Sequence, residues 1–158
     1  MKYAFMSFSC PELTLVQMLE AARRFGYDGI ELRAQSGHAH GSEFDASAEA
    51  RADARAKAQK AGMALCCVAT SCRYAEPETT ALHTEDTHTA IDLAADVGSP
   101  CVRVFGGPLP EGVSREKGVD LVVQALTSVA DHAGERGVRV CMETHDDWCE
   151  PRHVAEVM

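Results

Sequence analysis

Four glycines divide this chain into segments of nearly equal length. Gly26, Gly62, Gly98 and Gly137 are separated by 36, 36 and 39 residues, and each follows a segment that contains many helix-forming residues. Each glycine also stands just before a short apolar run. A left-handed glycine is a common end of a helix, and a short apolar run after it is typical of a buried strand. The sequence therefore predicts a regular array of alternating strands and helices.

The apolar runs set the bounds of the predicted strands, and the segments between them set the helices. Five strands are predicted: Tyr3–Phe8, Gly29–Arg33, Met63–Ala69, Cys101–Phe105 and a run from Val138 that ends in Glu143. The predicted helices are one between Thr14 and Gly26, Asp45–Lys60, Thr80–Val97, one from Ser114 to near Gly137, and a short one that begins at Pro151. Thr14 and Gln17 have the spacing of a capping box, which marks the start of the first helix.

Strands that alternate with helices build either an open doubly wound sheet or a β/α barrel. No glycine-rich dinucleotide-binding fingerprint follows the first strand, where Cys10-Pro11-Glu12 stand instead, and this favours the barrel. A complete barrel has eight units and needs about 250 residues. We therefore expect the 158 residues to form a single α/β domain over 1–158, an incomplete TIM-barrel type fold with about five of eight units and a parallel sheet.

Charge and cysteine content restrict the partners and the compartment. The formal net charge is −9 at pH 7, which opposes nucleic acid as a partner because its phosphates require clustered Lys and Arg. The seven cysteines form no C-x-x-C motif, which predicts buried reduced thiols rather than a disulfide framework or a zinc knuckle. The chain has no signal-peptide pattern and no apolar run of about 20 residues, so we expect a cytoplasmic location and no membrane contact.

Three charged residues lie within predicted strands. Glu31, Arg103 and Glu143 occur at or near the carboxyl ends of the second, fourth and fifth strands. Buried charges are costly unless they are paired or functional, and α/β folds bind their ligands at these strand ends. We interpret the three residues as parts of one ligand pocket. The alternative is a structural ion-pair network.

Three groups of residues resemble the motifs of one known family. They are Gly29-Ile30-Glu31-Leu32-Arg33 with His38-Ala39-His40-Gly41, then Val102-Arg103-Val104-Phe105-Gly106-Gly107, and then Met142-Glu143-Thr144-His145-Asp146. Together they resemble the xylose isomerase-like sugar phosphate isomerase/epimerase superfamily, over essentially the whole chain. The resemblance implies a TIM barrel that catalyses divalent-metal-dependent proton transfer next to the carbonyl of a small sugar or sugar phosphate, through an enediolate.

The resemblance also implies roles for individual residues. Glu143 occupies the place of a catalytic ligand to a divalent metal, commonly Mn, Mg, Co or Zn. Glu150 is a candidate acid/base residue, and Arg103 is a candidate for holding an anionic group of the substrate. The family's other metal ligands come from strands six to eight, which five units do not provide. We therefore expect this chain alone to hold no complete metal site and to be inactive by itself.

The loops after the second and fifth strands supply further candidates for substrate binding. His38 and His40 stand two residues apart, a spacing that places both rings on one side of an extended segment; the alternative is a pair of solvated histidines. His145 and Trp148 closely follow Glu143. We add these four residues and Glu31 to the predicted substrate pocket, although packing against its own loop explains Trp148 equally well.

Two other functions are compatible with the sequence. One is a non-catalytic half-barrel that binds a small ligand or pairs with a second chain. The other is a metal-dependent endonuclease that acts at abasic sites, but Thr70-Ser71 and Gly106-Gly107-Pro108 stand where that family has histidines. An incomplete barrel also exposes the edges of its first and fifth strands, so we expect a homo-oligomer formed through these edges.

Overall fold

The computed structural model describes residues 1–158 and contains five strands and five α-helices. The strands are β1 Ala4–Met6, β2 Gly29–Arg33, β3 Ala64–Arg73, β4 Cys101–Phe105 and β5 Arg139–Glu143. The helices are α1 Leu15–Phe25, α2 Ala48–Ala61, α3 Thr80–Val97, α4 Arg115–Arg136 and α5 Pro151–Ala155. Single turns of 3-10 helix follow β1 at Ser7–Ser9 and β5 at Asp146–Trp148.

The strands form one sheet in the order β1-β2-β3-β4-β5. Every neighbouring pair is parallel, as expected where a helix connects each strand to the next. β1 and β5 are the two edges of the sheet and do not pair with each other, so the barrel is not closed. The predicted fold class, an incomplete TIM barrel with a parallel sheet, is confirmed.

Local sequence accounts for the positions of the helix ends. Gly26, Gly62, Gly98 and Gly137 follow the four long helices with φ of 76°, 69°, 80° and 68°, the left-handed region that glycine adopts without steric cost. At the start of α1, the Thr14 hydroxyl accepts a hydrogen bond from the Gln17 backbone N–H, and the Gln17 side chain accepts one from the Thr14 N–H. The predicted capping box is therefore present.

Apolar and charged side chains alternate along the strands, so the apolar core lies on one face of the sheet and the charged residues on the other. Ile30, Leu32, Val102 and Val104 are fully buried beneath the helices, where α3 contacts β3 and β4 and α1 contacts β2. Successive side chains of a strand point to opposite faces. The charged residues between these core positions therefore lie on the inner wall, the face that forms the lumen of a TIM barrel.

Three element bounds differ from the predicted ones by two residues or more. β1 ends at Met6 rather than Phe8, because the buried Ser7 starts a 3-10 turn and its hydroxyl accepts a hydrogen bond from the Arg33 N–H at 2.8 Å. α2 begins at Ala48 rather than Asp45, because Ser47 is its N-cap. β3 continues past Ala69 to Arg73, where it pairs with Phe105 of β4.

The last strand and the cysteines are more exposed than predicted. β5 is an edge strand, so Arg139, Cys141 and Glu143 on its inner face are exposed rather than buried on both sides. All seven cysteines are unpaired, as predicted, but only Cys72 is fully buried, whereas Cys141 and Cys149 are exposed. Among the helices, none combines the length and the apolar character that a membrane crossing requires.

Candidate functional site

The structure brings Glu31, Arg103 and Glu143 together on the inner wall. The Nε atom of Arg103 lies 3.0 Å from Oε2 of Glu143 and 3.9 Å from Oε1 of Glu31. The Arg103 side chain is only 12% exposed, compared with 27% for Glu31 and 43% for Glu143. One guanidinium thus stands between two carboxylates that come from strands on either side of it.

Other contacts hold Arg103 in this position. Its Nη1 atom donates a hydrogen bond to the Thr70 carbonyl at 2.7 Å, and its guanidinium lies 4.2 Å from the centroid of the Phe105 ring. The buried Nε atom has no hydrogen-bond partner, so its short contact with Glu143 is an ion pair without the angle of a hydrogen bond. The Nη2 atom of Arg103 forms no hydrogen bond and is not one of the buried polar atoms without a partner, so it is the donor that a ligand can reach.

The environment of Glu31 favours its protonated form. Burial raises the pKa of the Glu31 carboxyl above its usual range, and the negative charge of Glu143 raises it further, while Arg103 acts in the opposite direction. Raised carboxyl pKa values are typical of groups that exchange protons near neutral pH. Glu31 is therefore suited to hold or release a proton at this site.

A second guanidinium, that of Arg33, lies near Arg103. Arg33 was not among the site residues predicted from the sequence. Arg33 donates hydrogen bonds to the carbonyls of Ala34 and Ala69 and to the Ser71 hydroxyl. Burial lowers the pKa of Arg33, and the nearby charge of Arg103 lowers it further. Arg33 stands two residues after Glu31 and therefore lies on the same face of the strand. This two-residue spacing is the sequence signal that could have identified Arg33 as a site residue.

The two loop histidines have different environments. The His40 side chain is buried, whereas His38 is half-buried, with its ring centroid 6.1 Å from that of Phe8. The Nδ1 atom of His40 accepts a hydrogen bond from the Ser42 N–H at 3.0 Å, so its Nε2 atom carries the proton and lies 3.2 Å from the Arg33 carbonyl oxygen. His40 is buried and hydrogen-bonds to the end of β2. The alternative interpretation, a pair of solvated histidines, therefore does not apply to His40.

The burial of His40 makes the stability of the fold depend on pH. Burial lowers the pKa of His40, so the unfolded chain binds more protons than the folded one below the ordinary histidine pKa of about 6.5. We expect the free energy of unfolding to fall as the pH decreases below that value. His40→Asn should reduce this slope, by at most about 1.4 kcal/mol per pH unit.

Urea unfolding at a series of pH values measures this effect. His153→Asn, a substitution in the short helix α5, controls for the removal of one imidazole. A slope that is the same in His40→Asn as in the unmodified chain would contradict the assignment of His40 as a neutral, buried donor.

Of the two predicted site residues His145 and Glu150, which follow β5, only His145 lies beside the cluster of Glu31, Arg103 and Glu143. His145 is exposed, its Nδ1 atom lies 2.9 Å from Oδ1 of Asp146, and its ring centroid lies 5.1 Å from that of Phe105, which packs under Arg103. Glu150 forms an ion pair with Arg152, and no hydrogen bond or ion pair connects it to Glu31, Arg103 or Glu143. Its predicted acid/base role stays a prediction without support from these contacts.

Trp148 is fully buried and contacts the loop after β4. Its Nε1 atom donates a hydrogen bond to the Gly107 carbonyl at 2.7 Å, and Arg115 lies over the indole with its Cζ atom 5.5 Å from the ring centroid. The neighbouring Asp147 accepts a hydrogen bond from the Leu109 N–H at 2.7 Å. These contacts make Trp148 the residue that joins the β4 and β5 loops, and its predicted contact with substrate stays untested.

The fold and this cluster define the class of protein. Five parallel β/α units that carry charged side chains at the carboxyl end of the sheet are the arrangement found in TIM-barrel proteins with a site at that face. The sequence signature of one family, described as xylose isomerase-like TIM barrel, matches residues 19–158. The chain belongs to the xylose isomerase-like TIM barrel family. No curated protein matches it.

Solved structures with the same fold include sugar epimerases. A D-psicose 3-epimerase with D-tagatose from Clostridium cellulolyticum H10 has 14% identity and a TM-score of 0.76, covering 99% of this chain and 60% of its own length. A xylose isomerase domain protein from Planctomyces limnophilus has 21% identity and a TM-score of 0.71, covering 98% and 57%. The 3-keto-D-glucoside 4-epimerase YcjR from E. coli has 12% identity and a TM-score of 0.72, covering 90% and 55%.

These likenesses show the fold, and the chain spans between 55% and 60% of the length of the three solved proteins. The family is generally metal-dependent. No group of three potential metal ligands in this chain includes Glu143, and Arg103 stands between Glu143 and Glu31. The donors at this place do not fit a complete site for a divalent ion, which takes four or more ligands.

Proposed function

We propose that this chain forms the substrate-binding and proton-transfer wall of a sugar or sugar-phosphate isomerase or epimerase. The observation that supports the proposal most is the Glu31–Arg103–Glu143 cluster at the carboxyl ends of strands in a xylose isomerase-like barrel. Within this proposal, Glu143 is the one residue of this chain that would ligate the family's metal.

The chemistry requires a group that takes a proton and a group that holds an oxygen atom. A carboxylate removes the proton from the carbon next to the substrate carbonyl, and the electron pair of that C–H bond forms the double bond of an enediolate. Return of the proton to the neighbouring carbon gives an isomer, and return to the opposite face of the same carbon gives an epimer. Glu31 and Glu143 are the candidate carboxyl groups for these transfers.

Arg103 supplies the interaction with the substrate. Its Nη2 atom, which forms no hydrogen bond in the structure, would donate to a carbonyl, hydroxyl or phosphate oxygen, and its positive charge favours the negative charge that develops on the enediolate oxygens. Because Thr70 and Phe105 already hold the guanidinium, little reorganisation accompanies binding. His145, which packs on Phe105, and His38 remain candidates for contacts with hydroxyl groups.

Deuterium exchange from solvent tests the proposal without requiring net turnover. The protein is incubated in D2O with D-fructose, D-tagatose or a ketose phosphate and with Mn, Mg, Co or Zn, and NMR follows the hydrogen on the carbon next to the carbonyl. We expect exchange of this hydrogen with one of these sugars, without net conversion of the sugar by this chain alone. Glu31→Gln and Glu143→Gln should each slow it by at least about 100-fold, the usual contribution of a general acid or base.

Glu135→Gln is the matched control, because this exposed carboxylate lies on α4, away from the inner wall. It should leave the exchange rate unchanged. If the folded protein binds a sugar but exchanges no hydrogen with any metal, the proposed proton transfer is wrong.

The second candidate function is a non-catalytic module that binds a small ligand. The lack of a three-ligand group around Glu143 favours it. A sugar that raises the melting temperature without exchange of hydrogen would support this module, and Arg103→Met should abolish that shift.

We also propose self-association through the β5 edge. The inner face of β5 is exposed, and an unpaired strand edge offers a row of free backbone donors and acceptors to a second chain. Size-exclusion chromatography with light scattering should give a mass above 17.0 kDa. A stable folded monomer over a wide range of concentrations would contradict this proposal.

A further inference from the structure

A second group of potential ligands lies between β3 and α3, outside the wall formed by Glu31, Arg103 and Glu143. Cys72 belongs to the last residues of β3, and His83 and Asp86 lie three residues apart near the start of α3. The Sγ atom of Cys72, a ring nitrogen of His83 and a carboxylate oxygen of Asp86 all lie within 4.8 Å of one another. The fold therefore gathers three different ligand types from a strand and the helix that packs on it.

The hydrogen bonding of His83 is incomplete. Its Nδ1 atom is buried and has no hydrogen-bond partner, and the closest carboxylate oxygen, Oδ2 of Asp86, is 4.0 Å away. That separation is too long for a hydrogen bond. Buried polar atoms without a partner are rare in folded proteins and call for a specific explanation, such as an ion that is bound there.

Burial excludes a nucleophilic role for this group. Cys72 is fully buried, and burial raises the pKa of its thiol, whereas reactive cysteines are accessible and have lowered pKa values. The Cys-His-Asp combination is therefore not a catalytic triad. Burial also lowers the pKa of His83, so its imidazole is neutral near pH 7 and offers a lone pair to a cation.

The ligand types indicate which cation would bind. A thiolate, an imidazole and a carboxylate are all zinc ligands, and two negative charges balance one divalent ion. Tetrahedral zinc with bonds of about 2.0–2.3 Å separates its ligand atoms by roughly 3.3–3.8 Å, so a small rotation of the side chains brings the three atoms into place. The thiol of Cys72 would lose its proton to the solvent as the S–Zn bond forms.

A surrounding hydrogen bond already orients one of the ligands. The Gln35 side chain donates to Oδ2 of Asp86 at 2.9 Å and accepts from the Ser71 N–H at 3.0 Å. Outer partners of this kind are usual around protein metal sites, where they fix the direction of the ligand atoms.

We propose that Cys72, His83 and Asp86 bind a zinc ion, with water as the fourth ligand. The ion would connect the end of β3 to the start of α3. Glu143 is not part of this site. The proposed zinc site is therefore distinct from the metal site that the family resemblance implies at Glu143. It would make α3 depend on zinc and leave the inner wall free for substrate.

Cobalt substitution tests this assignment. The full chain is stripped with a chelator and titrated with Co(II), because a cysteine ligand gives a thiolate-to-cobalt charge-transfer band that carboxylates and imidazoles do not. We expect one equivalent to produce the band and Zn(II) to remove it by displacement. Cys72→Ser should abolish the band, and His83→Gln and Asp86→Asn should each weaken zinc binding at least about 100-fold, beyond the 10–100-fold typical of outer partners.

Two control variants separate this site from other metal-binding residues. Cys149→Ser removes an exposed thiol and should leave the band intact, and Glu143→Gln should leave it intact as well. If Cys72→Ser fails to fold by circular dichroism, His83→Gln decides the test through zinc affinity alone. A band that persists without Cys72, or zinc affinity that is unchanged in His83→Gln, would overturn the proposal. None of these measurements depends on activity toward sugars, so the zinc proposal is tested independently of the proposed function.

Discussion

Gly106→Ala is expected to lower the free energy of unfolding by about 3 kcal/mol, the upper part of the usual range for overpacking. A Cβ atom at this position would overlap Nε1 of Trp148 and lie 2.5 Å from its Cδ1 atom. The backbone cannot retreat easily, because the Gly106 carbonyl accepts hydrogen bonds from the N–H groups of Tyr74 and Ala75 at 3.0 and 2.8 Å. The indole must therefore move and lose its hydrogen bond to Gly107.

Tryptophan fluorescence measures this effect directly, because Trp148 is the only tryptophan of the chain. Urea unfolding followed by its emission gives the stability, and the emission of the folded state should shift to the red as the indole becomes exposed. Gly134→Ala is the matched control, since a Cβ atom there, in the last turn of α4, meets nothing within 4 Å. It should stabilise the chain by up to about 1 kcal/mol. Unchanged emission and stability in Gly106→Ala would contradict the assigned packing of Trp148.

Arg103→Met is expected to destabilise the fold by about 2 kcal/mol. The loss of one partner from a buried ion pair typically costs about 3–5 kcal/mol, and the partial exposure of Glu143 and Glu31 reduces that value through solvent screening. The substitution removes the cation that stands between the two carboxylates. It also removes the hydrogen bond to Thr70 and the contact with Phe105.

A double-mutant cycle separates the charge effect from the loss of packing. Adding Glu31→Gln to Arg103→Met should restore about 1 kcal/mol, because it removes one of the unpaired carboxylates. Arg136→Met is the matched control: Arg136 contacts Asp92 at 2.9 Å and Asp96 at 2.6 Å but is 37% exposed, so its loss should cost at most about 1 kcal/mol. Equal losses in Arg103→Met and Arg136→Met would show that the inner-wall cluster is no more important than a surface ion pair.

The candidate site was predictable where it depends on strand periodicity. Glu143 ends β5, and Glu31 and Arg103 stand two residues before the ends of β2 and β4. The carboxyl ends of parallel strands meet at one edge of a sheet, so the proximity of the three residues followed from the sequence pattern. Arg33 shares that periodicity. Their chemical roles stay predictions, because an ion-pair network and a substrate pocket have the same arrangement of charges until a ligand is present.

Other parts of the site depend on contacts between distant residues. The sequence pattern does not show that Trp148 is buried against Gly106 and Gly107. Nor does it show that β3 continues to Arg73, which depends on pairing with Phe105. The approach of Cys72 to His83 depends on the way α3 packs on that longer strand.

The sequence by itself determined the order of the strands and helices, the helix ends at the four left-handed glycines and the parallel sheet, because these depend on short-range backbone preferences and on the alternation of apolar residues. Only the tertiary structure decided that the inner face of β5 is exposed, that His40 is a buried neutral donor and that Arg103 stands between two carboxylates. These features depend on distances and burial set by packing between segments far apart in the chain, and local sequence preferences do not encode such distances.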